Sequence, residues 1–182
     1  MNPGPSPRLR TERVELIAAT AEICRADLDD REFDRLPGLL DARIPEGAWP
    51  PPLLDADALI WCRDLLDAQP EVAGWAIWYL VVTDRPREPI GVAGFKGPPD
   101  AMGFVEIGYS LRPEFQRIGL GTEAIGRLVA WAFDHPEVLG IVADTYDDLE
   151  GSIRLLRNLG FREFGEGSDP GSVRYLLERH RV

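Results

Sequence analysis

Glu106 and the run Gln116-Arg117-Ile118-Gly119-Leu120-Gly121-Thr122 hold the residue types and spacing that chemistry needs. The run reads as a tight, glycine-bearing turn. Behind it, Ala124, Ile125, Leu128, Val129, Ala132 and Phe133 recur at helical spacing as far as Pro136, so a helix springs from the turn. The first amides of a helix lack partners within it, and its dipole is positive at that end. Such a turn binds an anion without basic side chains. Gly119 and Gly121 let a phosphate approach the main chain. The Gly-Lys-Ser/Thr end of a Walker loop is missing, as is the G-x-G-x-x-G dinucleotide fingerprint. Taken alone, Q-x-x-G-x-G also fits an ordinary turn.

Glu106 lies on the strand that feeds the turn, read over residues 103–111. Alternation puts Glu106, Gly108 and Ser110 on one face and Val105, Ile107, Tyr109 and Leu111 on the other. A carboxylate within a strand costs free energy unless it is solvated, ion-paired or used. Trp49 sits in a loop with prolines at 45, 50, 51 and 52, which bars helix and inner strand. It either plugs the edge of the core or lines a substrate mouth. Tyr79 belongs to the apolar run 75–82, read as a buried strand, and is expected to face the same mouth together with Trp49 and Glu106.

The elements that must position these residues follow from the pattern. A first strand is read over 13–18. A mostly helical stretch covers 20–40, punctuated by Pro37-Gly38, with Asp27, Asp29, Asp30 and Asp34 on a solvated face. Asp55 is the N-cap expected for a helix over 56–68. Strands follow at 75–82, 90–96 and 103–111, then the helix after the turn, a strand at 141–145, a helix at 152–159, and strands at 161–164 and 173–177. The fold class is α/β, with a mixed sheet and no natural cut into two domains. Residues 1–8 and 179–182 read as tails around a single domain over 9–178.

Acids outnumber bases 31 to 20, for a formal charge of −11. That field disfavours nucleic acid and anionic membrane and suits cationic ligands such as amines. Hydrophobic residues make up 45% of the chain, which is the composition of a globular protein. No apolar run reaches the roughly 18–20 residues of a membrane span. Cys24 and Cys62 form neither a disulfide framework nor a metal-ligand pattern. They read as buried structural thiols in a reducing cytoplasm, and no metal is expected. His135 marks a helix end, His180 a tail. Asp144, Asp147, Asp148 and Glu150 read as a polar loop and helix start, or as an acidic rim.

Residues 105–124 resemble the central acyl-CoA motif of the Gcn5-related N-acetyltransferase (GNAT) superfamily. Ala143-Asp144-Thr145 and Ser152-Ile153-Arg154-Leu155-Leu156-Arg157-Asn158-Leu159-Gly160-Phe161 resemble its second motif. Residues 9–16 are similar to the opening of the branch that includes ribosomal-protein N-terminal-alanine acetyltransferases. The likeness spans roughly residues 9–178. It implies a mostly antiparallel sheet of six to seven strands, flanked by helices and splayed at an acyl-CoA slot.

The resemblance also implies a mechanism. The pyrophosphate of acetyl-CoA would rest on the amides of Arg117, Ile118, Gly119, Leu120, Gly121 and Thr122, beside Gln116. The pantetheine arm would pair with the backbone at Ser110, Leu111 and Arg112. An N–H near Ser110 would stabilise the oxyanion. Glu106, directly or through water, would be the general base for a primary amine, either a small molecule or a protein N-terminus. The family's usual asparagine is replaced by Leu149 and its usual acidic tyrosine by Leu156, so Ser152, Tyr146 or water protonates the leaving thiolate. A non-catalytic acyl-CoA-binding module of the same fold is the alternative. A homodimer is compatible with the sequence, which does not fix the oligomeric state.

Overall fold

The computed structural model describes residues 6–29, 33–84 and 86–179. Asp30, His180 and most of the two expected tails lie outside the described residues. Among the described residues, eight strands form one sheet in the order β1-β2-β3-β4-β5-β6-β8-β7. They are β1 (Arg8–Arg10), β2 (Val14–Ala18), β3 (Ile77–Val82), β4 (Pro89–Phe95), β5 (Phe104–Leu111), β6 (Gly140–Tyr146), β7 (Arg162–Glu166) and β8 (Ser172–Glu178). All neighbours run antiparallel except β5 and β6. The strand that exceeds the expected number is β1. Its sequence Arg-Leu-Arg has no apolar run, and it forms by pairing with β2.

The helices are α1 (Ala21–Leu28), α2 (Leu36–Leu40), α3 (Ala56–Ala68), α4 (Leu120–Phe133) and α5 (Glu150–Asn158). Thr20 caps α1 by accepting from the Ile23 amide, and Asp55 caps α3 by accepting from the Ala58 amide. The stretch read as one helical region over 20–40 is divided. Pro37 falls in the first turn of α2, where its missing N–H costs nothing, so Pro37-Gly38 lies inside a helix. The strand expected from 75 begins at Ile77, because residues Pro70–Trp75 form a 3₁₀ segment. No helix among the described residues is long and apolar enough to cross a membrane.

Strand alternation divides the apolar side chains between two cores. Leu16, Trp78, Leu80, Ala93 and Ile107 meet Ala124, Ile125 and Leu128 of α4 and Leu156 of α5. Ile17, Tyr79, Val81 and Val92 meet α1, α2 and α3 on the opposite face. Cys24 and Cys62, far apart in sequence, meet there as a buried, hydrogen-bonded pair of free thiols.

The site is positioned by a gap in this sheet. β5 pairs with β6 only where Phe104, Val105 and Glu106 lie beside Gly140, Ile141 and Val142. Beyond Glu106, β5 continues with β4 as far as Leu111, while β6 continues with β8 as far as Tyr146. The two strands part and leave a slot. Gly91 keeps the β4 wall tight: a Cβ there would lie 2.2 Å from the Ser110 carbonyl oxygen.

Candidate functional site

The turn at the end of the slot is shaped by two residues in left-handed conformation, Arg117 (φ 62°) and Gly119 (φ 88°). Gly119 is the N-cap of α4 and offers no side-chain acceptor. Among the described residues, no acceptor meets the amides of residues 117–122. Six consecutive N–H groups are therefore available at the positive end of a fourteen-residue helix. Buried Leu120, Ala124, Ile125 and Leu128 pin that helix to the sheet.

Arg13, from the β1–β2 turn, adds a cation that the sequence did not reveal. Its amide and Nε donate to the Glu123 carboxylate at 2.8 and 2.7 Å. A terminal guanidinium nitrogen donates to the Ile118 carbonyl at 3.2 Å. The link joins residues 110 apart in sequence, so no local pattern carries it.

The β5 wall of the slot shows which main-chain groups are free. The Arg112 amide donates to Ile90 O, and Glu106 O accepts from the Lys96 amide, so both point at β4. Alternation therefore sends the polar groups of Ser110 and Arg112 into the β4 ladder and those of Tyr109 and Leu111 toward the slot. Gln116 Nε2 donates to the Leu111 carbonyl at 2.8 Å, tying the turn to the strand end. The Arg112 side chain is buried. It donates to Pro89 O at 2.8 Å and to Glu114, and it stacks over Phe115.

Tyr109 reaches across the slot to α5, where its hydroxyl and Ser152 Oγ hydrogen-bond at 2.9 Å. Burial pushes the phenol up to about 12, against the opposing hydrogen bond with Ser152. Leu149 is the N-cap of α5 and gives it no side-chain cap. Leu156 is fully buried among the core residues over α4. Tyr146 is exposed at the end of β6.

Glu106 is half-buried and pairs with Lys96, and Arg174 lies 3.8 Å away. Arg174 clasps Asp144 through two bonds of 2.7 Å. That clasp holds the Asp144 carboxyl down at about 2, against the cost of burial. Asp144 is thus engaged by an arginine within the sheet and does not stand in a free acidic rim.

Trp49 and Tyr79 come together, with ring centroids 5.8 Å apart. Glu106 is not beside them. The carboxylate they share is Asp27: Trp49 Nε1 donates to one oxygen and the Tyr79 hydroxyl to the other, each at 2.7 Å. Tyr79 is fully buried. Asp27 was expected on a solvated face with its acidic neighbours. The last turn of α1 instead carries it inward, and burial raises its carboxyl despite the two hydrogen bonds. Asp27 and Trp49 line a cavity of about 370 Å³ with Pro50, Leu54, Asp55 and Leu59. The Leu53 amide, beside that wall, donates to Ser110 Oγ at 3.2 Å.

Residues 22–162 match the family model described as an acetyltransferase (GNAT) domain. Over 105 residues the chain is 33% identical to the uncharacterized N-acetyltransferase YjdG of Bacillus subtilis (strain 168). That match covers 58% of this chain and 62% of the relative, so the chain spans less than two thirds of its length. Among solved structures, the chain is similar to RimL, a ribosomal L7/L12 alpha-N-protein acetyltransferase in complex with coenzyme A. The TM-score is 0.65 at 16% identity, covering 94% of this chain and 98% of that one. A ribosomal-protein-S5-alanine acetyltransferase from Vibrio fischeri gives 0.64 at 17% identity, covering 94% and 96%. At these identities the structural likeness is one of fold.

Proposed function

The chain belongs to the GNAT acetyltransferases, and from that premise we propose that it moves an acetyl group from acetyl-CoA to a primary amine, on a small molecule or a peptide N-terminus. The observation that carries this reading is the row of six unpartnered amides at the α4 N-terminus, opening on a slot between two splayed strands. A diphosphate fits those amides, with the Arg13 guanidinium beside them. A pantetheine arm fits the slot-facing polar groups of Tyr109 and Leu111 as an added strand.

The chemistry follows from the groups around the slot. The acceptor amine loses a proton to Glu106, directly or through water, and its nitrogen attacks the thioester carbonyl. A slot-facing amide next to Ser110 stabilises the oxyanion. When the C–S bond breaks, the Ser152 hydroxyl, hydrogen-bonded with Tyr109, protonates the thiolate, and the proton taken up by Glu106 returns through solvent to restore the pair. The products are an amide and free CoA. Lys96 and Arg174 pair with the charged form of Glu106 and hold it in place between turnovers.

The test is thiol release from acetyl-CoA over a panel of amines. Glu106→Gln is expected to lower kcat by roughly 10²- to 10⁴-fold on the best acceptor. A variant as fast as the parent removes Glu106 from the reaction. Leu149 and Leu156 favour a second reading, a module that binds acyl-CoA without turnover. It predicts thermal stabilisation by acetyl-CoA with no thiol release for any amine.

A further inference from the structure

Among the described residues, the other carboxylates drawn into this fold each meet a cation. Glu15 pairs with Arg8, Arg10 and Arg87. Glu106 pairs with Lys96, Glu123 with Arg13 and Asp144 with Arg174. Asp27 alone among them is held by neutral donors, the Trp49 N–H and the Tyr79 hydroxyl. Those bonds fix its position without cancelling its charge. Each oxygen keeps acceptor capacity toward the cavity.

Among the described residues, the cavity wall supplies no countercharge. Its charged residues among those described are Asp27 and Asp55, and none of the described lysines, arginines or histidines lines it. The remainder is the Trp49 ring with Leu28, Pro50, Leu54, Ala56 and Leu59. A carboxylate at the base, an indole on the side and aliphatic walls suit an alkylammonium group. A volume of about 370 Å³ admits a small organic cation and excludes a folded partner.

The position relative to the slot sets what that cation is. Leu54 lines the cavity, and its neighbour Leu53 touches Ser110. Glu106 lies four residues back along β5, roughly 13 Å at the rise of a strand. An ammonium on Asp27 is therefore not the amine that Glu106 deprotonates. An ammonium salt-bridged to a carboxylate is also no nucleophile, so binding and reaction need two nitrogens.

We propose that the Asp27 cavity holds a second cationic group of the acceptor, so that the preferred acceptors are small organic dications, acylated on one amine and anchored by the other. This rests on the acetyl-transfer reading above, and it names the substrate class of that site.

The experiment compares kcat/KM for 1,4-diaminobutane and 1,6-diaminohexane with that for the matching monoamines, 1-aminobutane and 1-aminohexane, in acetyl-CoA-dependent thiol release. The parent is expected to favour at least one diamine by about 10- to 100-fold, chiefly through KM. Asp27→Asn is expected to bring the ratio to within about threefold. Because Asp27 also anchors two aromatic side chains, a second variant is needed. Ala56→Lys places an ammonium at the exposed cavity wall and leaves the Asp27 bonds intact. It is expected to lower the ratio in the same direction. Turnover of monoamines with no preference for either diamine overturns the proposal, as does a preference that survives both substitutions. If no amine is turned over, the acetyl-transfer reading fails separately. Calorimetric titration with 1,4-diaminobutane then decides the cavity: binding by the parent that is lost in Ala56→Lys supports it, and no binding by the parent overturns it.

Discussion

The turn at the head of α4 and the cavity around Asp27 handle charge by opposite means. The turn is main chain: six contiguous residues present N–H groups, and the side chains serve to shape and anchor it. The cavity is side chain: residues from α1, the proline-rich loop and β3 converge on one carboxylate across 22 and 52 positions of sequence. A main-chain site tolerates changes of side chain and is sensitive to backbone conformation. A side-chain site has the reverse weakness.

The largest expected effect lies in the cavity. Trp49→Ala removes the stack on Tyr79 and one donor to Asp27, at about 2–3 kcal/mol of unfolding free energy. Denaturant titration measures it; a loss below about 0.5 kcal/mol would mean the indole is surface decoration.

Acid separates the two ways of holding a carboxylate. Asp144, held at about 2 by Arg174, contributes stability that is present above its ordinary value near 4 and fades as the pH falls toward 2, about 2 kcal/mol in all. Asp27 is raised by burial, so its sign is opposite. Its protonation favours the folded state, and that gain is lost as the pH rises through its folded value. Unfolding curves between pH 7 and pH 3, run on Asp144→Asn and Asp27→Asn, should diverge from the parent in opposite directions. Parallel curves would end the contrast.

Gly119→Val probes the turn itself. A β-branched residue at φ 88° is strained by about 1–2 kcal/mol, and its Cβ would come 3.3 Å from the Arg13 guanidinium. The KM for acetyl-CoA should rise roughly tenfold. The smallest effect belongs to Arg13→Ala. The side chain is 44% exposed, so solvent screens it and a rise of about two- to fivefold in the same KM is expected. A larger effect for Arg13 than for Gly119 would show that the site relies on a side-chain cation after all.

The same contrast decides what a reader of the sequence could find. The turn lies in seven consecutive residues and its helix in a clean apolar period, so both were legible, as were Asp55 and the bounds of α3. The GNAT-type slot followed from the motif around them. Asp27 was misread because its neighbours Asp29, Asp30 and Asp34 make the stretch look like a solvated face. Its burial depends on donors in two other elements. Arg13, and the bond between Tyr109 and Ser152 across 43 positions, escaped for the same reason. β1 escaped because three residues without an apolar pattern become a strand only when β2 is beside them. Local period reports a residue's own element and is silent on long-range partners.

The three-residue seam between β5 and β6 has a thermodynamic consequence. The sheet of the free protein is unfinished: two ladders share a short spine, and the edges beyond it face each other without a rung. An extended donor arm seated between them, as the proposed function has it, would serve as the ninth strand and would be a structural component for as long as it stayed bound. Apparent stability would then track donor supply. At a hundred times its dissociation constant the donor would add about 2.7 kcal/mol. The folded lifetime of the chain would follow the acyl-CoA level around it.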